Sequence, residues 1–508
     1  MKQEHRRGFP FSFRLLLVGI CVLGEIALML AMFFWLKLEA ATIYSMFQLV
    51  GLVLAIVILN KPDTPGYKYG WILFILLVPL VGCFFYMIRG GSRVIPSVKR
   101  RMRRLEDAAA ESVPQEAAAV ERLSRESEAG ARQAAFLNRR SGYPVWEGTS
   151  VEYLAPSKVF YGRLLEELKK AEKSIYLEFF ILSEGMMWDE IHTILKEKAA
   201  AGLDVRVMFD DFGSINRQYR GFLTRLRHEG IRVAVFNPIR PSVDLFMNDR
   251  NHRKIVVVDG TTAMTGSFNI GDEYIGVWQP LGEWVDSAAV LKGSGVHAFT
   301  VMFLTMWSFV NRTEFLPPPK PEPVEGEGFC LPYCDGPFDE RNPAKGIYAQ
   351  ILHTARRYVY FVTPYLILDE ETEIALKLAA DSGVDVRILT PGVPDKWYVH
   401  PVTRSYYKDL IEAGIRIYEY TPGFVHSKLC VADDEVATVG SVNMDYRSFY
   451  FHFECGVWVC RNQAVSDVLA HWNDLTSRSR EITSEWLAAQ PAVEKFKQNV
   501  LRLFAPFM

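Results

Sequence analysis

Several things are missing from this 508-residue chain, and each absence removes a class of explanation. The seven cysteines (Cys21, Cys83, Cys330, Cys334, Cys430, Cys455 and Cys460) are scattered, with no C-x-x-C pair beside histidines. That argues against a zinc site, and an odd, scattered set suits a reducing compartment better than a disulfide framework. Net charge is also lacking. Lys and Arg number 57 against 59 Asp and Glu, a formal charge of -2, so no overall basic field marks a nucleic-acid binder. Glycine is missing from 105 to 129, where Ala, Glu and Arg predominate, and this predicts a polar helix or flexible spacer.

Apolar residues are plentiful and unevenly placed. They make up 49% of the chain, with much of the excess before residue 90, in stretches of about Leu15–Leu36, Ala41–Leu59 and Gly70–Ile88. Each is near the ~20 residues needed to cross a bilayer, which predicts an N-terminal helical transmembrane region. The first is too long for a signal-peptide core. Lys2, Arg6, Arg7 and Arg14 precede it, and Arg89, Arg93, Lys99, Arg100, Arg101, Arg103 and Arg104 follow the third. Basic flanks favour the cytoplasm, and three full crossings cannot place both there. The larger cluster sets the expectation that everything after residue 90 is cytoplasmic. The same cluster suits anionic lipid headgroups. Glu25, inside the first stretch, suits either a protein-facing or re-entrant helix or a protonated carboxyl tolerated in the span.

Beyond residue 140 the chain repeats itself. Ser174-Ile-Tyr-Leu-Glu-Phe-Phe-Ile-Leu182 matches Tyr358-Val-Tyr-Phe-Val-Thr-Pro-Tyr-Leu366 in character, and Glu229-Gly-Ile-Arg-Val233 matches Ala413-Gly-Ile-Arg-Ile417. The glycines give an offset of 414 − 230 = 184, and Pro238 and Pro422 give the same. A fold built twice follows. Short apolar strands alternate with helical patterns, which predicts an α/β architecture with a mixed sheet flanked by helices in each half. Leu316-Pro-Pro-Pro-Lys-Pro-Glu-Pro323 marks the boundary between the halves. The expected layout is transmembrane helices over 1–90, a basic and polar linker over 91–140, a first half over 141–315, a Pro-rich linker over 316–342 and a second half over 343–508. That second half ends in an amphipathic helix in which Trp486, Leu487, Val493, Phe496, Val500, Leu501 and Phe504 recur mostly every three or four residues.

Each half carries one motif. His252-Arg-Lys254 and Asp259 are followed by Gly266-Ser267-Phe-Asn269; His426-Ser-Lys428 and Asp433 are followed by Gly440-Ser441-Val-Asn443. One H-x-K-x4-D arises by chance in about one chain in thirty of this length. Two at equivalent places in a duplicated fold, each with its G-S-x-N, do not. Imidazole, ammonium and amide groups from two halves supply a nucleophile, a general acid and donors for phosphoryl oxygens. The lysines bring the positive charge a metal would bring, so neither a metal nor a cofactor is expected.

These motifs resemble the signature of the phospholipase D superfamily. Lys61-Pro-Asp-Thr-Pro-Gly-Tyr-Lys-Tyr-Gly-Trp71, Asp210-Asp-Phe-Gly-Ser214, Thr363-Pro-Tyr365 and Tyr418-Glu-Tyr-Thr-Pro-Gly-Phe-Val-His-Ser-Lys428 are similar to bacterial cardiolipin synthases. The resemblance implies duplicated phospholipase D-like domains in a multi-pass protein of the bacterial plasma membrane. It implies joining of two phosphatidylglycerol molecules into cardiolipin with release of glycerol, through a phosphohistidine. A hydrolytic phospholipase D, or a transferase using phosphatidylethanolamine as donor, is the alternative. By analogy His252 is the nucleophile and His426 the general acid and base, while Lys254, Lys428, Asn269, Asn443, Ser267 and Ser441 hold phosphate oxygens. Asp259 and Asp433 complete the motifs as turn braces. Asp286 and Glu454, opening the next apolar strands, are candidates to orient the imidazoles. The expected partners are phosphatidylglycerol and other anionic membrane lipids, and no nucleic acid.

Overall fold

A computed structural model describes residues 27, 38–61, 65–89, 96–239, 249–338 and 341–508. Almost all of the first apolar stretch lies outside these, with Glu25, the N-terminal basic residues and Arg93.

The first half contains β1 (Thr149–Leu154), β2 (Ser174–Phe179), β3 (Asp204–Asp210), β4 (Arg232–Phe236), β5 (Arg250–Asn251), β6 (Ile255–Val258), β7 (Thr262–Gly266), β8 (Glu283–Val285) and β9 (Ala288–Gly293). The second contains β10 (Phe329–Asp335), β11 (Tyr358–Val362), β12 (Leu366–Ile367), β13 (Asp385–Pro391), β14 (Arg416–Tyr420), β15 (Gly423–Val425), β16 (Leu429–Ala432), β17 (Val436–Gly440), β18 (Met444–Asp445), β19 (His452–Cys460) and β20 (Ser479–Ile482). The first main sheet runs β1-β9-β7-β6-β2-β3-β4, and the second runs β10-β19-β17-β16-β11-β13-β14-β20. Seven strands correspond one to one. In each sheet three strands are parallel and the rest antiparallel, so both sheets are mixed. The central strands β6 and β16 are buried along their whole length, as runs of Ile, Val, Leu, Cys and Ala in a sheet covered on both faces must be.

The glycines of the two G-S-x-N motifs belong to this packing. A Cβ on Gly266 would sit 2.2 Å from the Ser287 carbonyl oxygen, and one on Gly440 would sit 2.4 Å from that of Cys455. The backbone approaches too closely for any side chain at either position.

Two expected linkers are built into the fold. Within 316–342, residues 329–335 form β10, the edge strand beside β19. Within 91–140 the chain is helical over Pro96–Ser112, Ala117–Glu126 and Glu128–Ser141, and buries Ala109, Leu123 and Leu137 in the core. Their amphipathic pattern has a partner to cover it. Arg101, in the basic cluster, donates to the Ser308 carbonyl at 3.1 Å.

The N-terminal region differs from three similar stretches. Helix α1 (Leu38–Leu59) takes in the second. The third is two helices, α2 (Pro65–Leu77) and α3 (Pro79–Arg89). Proline cannot donate to the preceding turn, so the helix breaks ahead of Pro79. At 13 and 11 residues the pieces span about 20 and 16 Å, against a bilayer core of about 30 Å. They pack together where Gly82 lies against the Ile75 backbone. Among the described residues no helix is long and apolar enough to cross a membrane. The pair docks on the second half. The Tyr67 ring lies 5.7 Å from that of Phe451 and 5.4 Å from that of Phe507.

Candidate active site

Each motif histidine sits where the chain passes between the two halves. Strand β5, just before His252, pairs not with its own sheet but in parallel with β19 of the other half. Strand β15, just before His426, pairs in parallel with β8 of the first half. The His252 amide donates to the Phe453 carbonyl at 2.9 Å, and the His426 amide to the Val285 carbonyl at 2.7 Å. The segments 252–254 and 426–428 are therefore bends between strands rather than ladder residues. The chain there leaves one sheet and enters the other.

This exchange pairs each imidazole with a carboxylate from the opposite half. His252 Nδ1 lies 2.9 and 3.0 Å from the two oxygens of Glu454. His426 Nδ1 lies 2.7 Å from Asp286 Oδ1. All four side chains are buried. Holding Nδ1 against an anion keeps that nitrogen protonated and leaves the Nε2 lone pair free.

Burial and charge shift every titrating group here. Burial, with Lys254 adding to it, keeps His252 well below the ordinary histidine value. Burial and Lys428 push His426 down to about 4. Both imidazoles are therefore neutral near pH 7, as a nucleophile requires. Burial would raise Glu454, but His252 and His452 beside it outweigh burial and hold it well below the carboxylate range. Burial likewise opposes ionisation of Asp286, and His426 and Lys428 overcome it. Burial lowers Lys254 to about 8 and Lys428 to about 7. In place of a carboxylate, each ammonium donates to the carbonyl of its own histidine, at 2.6 Å for Lys254 and 2.5 Å for Lys428. An anion bound beside them would raise both values and favour the charged ammonium.

The remaining motif residues divide by location. Asp259 accepts from the amides of Glu172, Lys173 and Ser174 at 2.6–2.8 Å, and Asp433 from those of Arg356, Arg357 and Tyr358 at 2.7–2.9 Å. Both stand at φ 56°, where the strand turns, and anchor the start of β2 or β11 at the end remote from the histidines. Ser267 and Ser441 use their hydroxyls on backbone, and Ser441 also donates to Glu454. Asn269 accepts from the Ile181 amide at 3.1 Å and donates to Tyr274 at 3.0 Å. Asn443 keeps a buried Oδ1 with no hydrogen-bond partner.

Other participants show only in three dimensions. Trp284 Nε1 donates to Asp286 Oδ2 at 2.7 Å, Ser448 donates to Glu454 at 2.8 Å, and the His452 ring lies 5.3 Å from that of His252. The one sequence signal for them is spacing, because Trp284 and His452 each precede a carboxylate by two residues. Asp210 braces the approach to His252. Its carboxylate takes the amides of Phe212 at 2.8 Å and Asn251 at 2.9 Å and lies 3.5 Å from Arg250. Donor atoms of His252, His452 and Glu454 lie within 4.8 Å of one another. In this arrangement His252 Nδ1 and both Glu454 oxygens are engaged with one another and with Ser441 and Ser448.

Comparison with known proteins identifies the family. The family model described as cardiolipin synthase, PLD-like domain, matches residues 164–282 and 348–475, and a phospholipase D-nuclease N-terminal model matches 49–91. The chain is 32% identical to a cardiolipin synthase of Geobacillus sp. (strain WCH70), over 90% of this chain and 91% of that one. It is 30% identical to the major cardiolipin synthase of Bacillus subtilis (strain 168), over 92% and 99%. An uncharacterized protein of Streptococcus mutans is 38% identical over 86% and 96%. Among solved structures, a phosphatidylserine synthase of Haemophilus influenzae shares the fold, with a TM-score of 0.56 and 14% identity over 70% of this chain and 93% of that one. The chain belongs to the cardiolipin synthase family, phosphatidyltransferases of the phospholipase D type.

Proposed function

We propose that this enzyme moves a phosphatidyl group from one phosphatidylglycerol to the hydroxyl of another, giving cardiolipin and glycerol through a phosphohistidine on His252. The observation that carries this reading is the crossed pairing of two neutral, buried imidazoles with two buried carboxylates. In the first step His252 Nε2 attacks phosphorus as the bond to the glycerol oxygen breaks. His426 gives that oxygen its proton. The phosphodiester's negative charge raises the pKa of His426 once it is bound, so the proton is available. In the second step neutral His426 takes the proton from the incoming hydroxyl, whose oxygen attacks phosphorus and releases His252. Lys254 and Lys428 neutralise the equatorial oxygens, and Asn269 and Asn443 donate their amide hydrogens. Asp259 and Asp433 act at a distance, by fixing the strands. The test is mass spectrometry of lipids formed by purified enzyme from phosphatidylglycerol alone. Cardiolipin with equimolar glycerol is expected. Phosphatidic acid as the sole product would make the enzyme a phospholipase, and no product without added phosphatidylethanolamine would change the donor.

The same proposal places the site at a bilayer. α1 exposes Met46, Leu49, Val50, Leu52, Val53 and Ile56, and α2 and α3 expose Leu76, Leu77, Phe84 and Met87. These faces suit contact with the lipid surface, and the exposed Arg100, Arg103 and Arg104 suit its anionic headgroups. The C-terminal segment extends this surface. Trp486, Leu487 and Leu501 pack on the core, while Val493, Phe496, Leu503 and Phe504 are exposed on and just beyond the helix Ala492–Arg502. Phe507, a few residues on, lies against Tyr67 and Trp71 of α2. Replacing Val493 and Phe496 together by serine is expected to raise the ratio of phosphatidic acid to cardiolipin, because a site tilted from the lipid admits water. An unchanged ratio in the folded double variant would remove this surface from the proposal.

A further inference from the structure

The two half-sites are related by the duplication, yet they are not the same. In the first half β8 and the residue after it present Trp284 and Asp286; in the second, β19 presents His452 and Glu454. The offsets agree, 452 − 284 = 168 and 454 − 286 = 168, and each pair is spaced by two, so both members leave the same side of the strand. The cross-half register agrees too, with β15 laid along Trp284 and β5 along His452. Trp284 and His452 are therefore equivalent positions. Trp284 spends its ring N–H on Asp286, at 2.7 Å. His452 Nδ1 lies 3.6 Å from Glu454 Oε1, just beyond hydrogen-bond length, and is buried with no partner.

We propose that His452 is the positioning residue of the His252 half-site. It donates its Nδ1–H to Glu454 as Trp284 does to Asp286, and so fixes the carboxylate that orients His252. This rests on the phosphohistidine reading above. A neutral donor is sufficient, and the surroundings favour one. Burial lowers the His452 pKa, opposed by Glu454, while Arg447 lowers it further and Asp445 raises it. His252 also faces it, with ring centroids 5.3 Å apart. The half-site has a reason to need the extra donor. Once Nε2 carries a phosphoryl group the His252 ring is a cation, and Glu454 must hold that cation in place while the leaving glycerol departs and the second lipid arrives. Ser441, Ser448 and His452 surround the carboxylate on the sides His252 does not occupy. Beside the His426 ring, which only passes a proton, Asp286 has the indole of Trp284 and the hydroxyl of Ser267.

The test compares two replacements in the full-length enzyme with phosphatidylglycerol in mixed micelles. His452→Leu removes the donor at similar volume, and His452→Asn keeps a non-titrating N–H. The leucine variant should lose roughly 10- to 100-fold in kcat, the scale of one hydrogen bond to a charged group, with KM nearly unchanged. The asparagine variant should recover most of that loss. Wild-type kcat in the leucine variant, or a folded asparagine variant as slow as leucine, would overturn the proposal. If the leucine variant does not fold, nitrogen-15 spectra of histidine-labelled wild-type enzyme decide, with the signal assigned by its loss in His452→Asn. An Nδ1–H tautomer is expected, and an Nε2–H tautomer would exclude the bond to Glu454. Failure of the phosphohistidine reading would be recognised separately, by the absence of acyl label on wild-type protein.

Discussion

Transfer by the variant His252→Ala is expected to vanish, a loss of about 10⁶-fold if removing this nucleophile is as costly as removing one from a protease triad. The lysines, amides and His426 remain, but nothing is left to accept the phosphatidyl group. The wild-type enzyme supplies the complementary observation. Quenched after incubation with phosphatidylglycerol labelled in its acyl chains, it should retain label; quenched after incubation with lipid labelled in the headgroup glycerol, it should retain none. The variant should retain neither label. Active wild-type protein that never carries acyl label would mean direct transfer between lipids, with His252 then acting as a base.

Glu454→Gln should cost about 10⁴-fold in kcat, the scale seen when the carboxylate of a histidine pair becomes an amide. The amide can still occupy the space. It cannot accept from His252 Nδ1, Ser441 and Ser448 together, and where it donates to Nδ1 it leaves the proton on Nε2, the atom that must attack. Both side chains are buried and 2.9 Å apart, so water cannot substitute for the lost charge. The effect crosses between halves, because a residue of the second disables the histidine of the first. Acyl label should be lost along with turnover. A Glu454→Gln enzyme that forms labelled protein at the wild-type rate would show that Glu454 serves His426 or only the fold.

Much of this was legible in the chain itself. A repeat with constant offset means a fold made twice, and it correctly gave two α/β halves with mixed sheets. Two H-x-K-x4-D motifs with matching G-S-x-N pointed to one chemistry, since histidine, lysine and amide groups at fixed spacing suit a phosphodiester whatever the surrounding fold. Local rules also sufficed for Asp259 and Asp433, each at a turn ahead of a glycine or a second aspartate. Spacing within one strand says nothing about what lies across from it. The sequence placed Asp286 near its own half's motif and Glu454 near its own, and gave no means of seeing that each serves the other. Only the tertiary structure decided that, because β5 and β15 leave their own sheets to pair with β19 and β8. It also decided that the stretch after residue 95 is packed against the core, and that His452 stands where its twin is a tryptophan. Each of these depends on contacts between residues far apart in the chain, formed only when burial brings the two halves together.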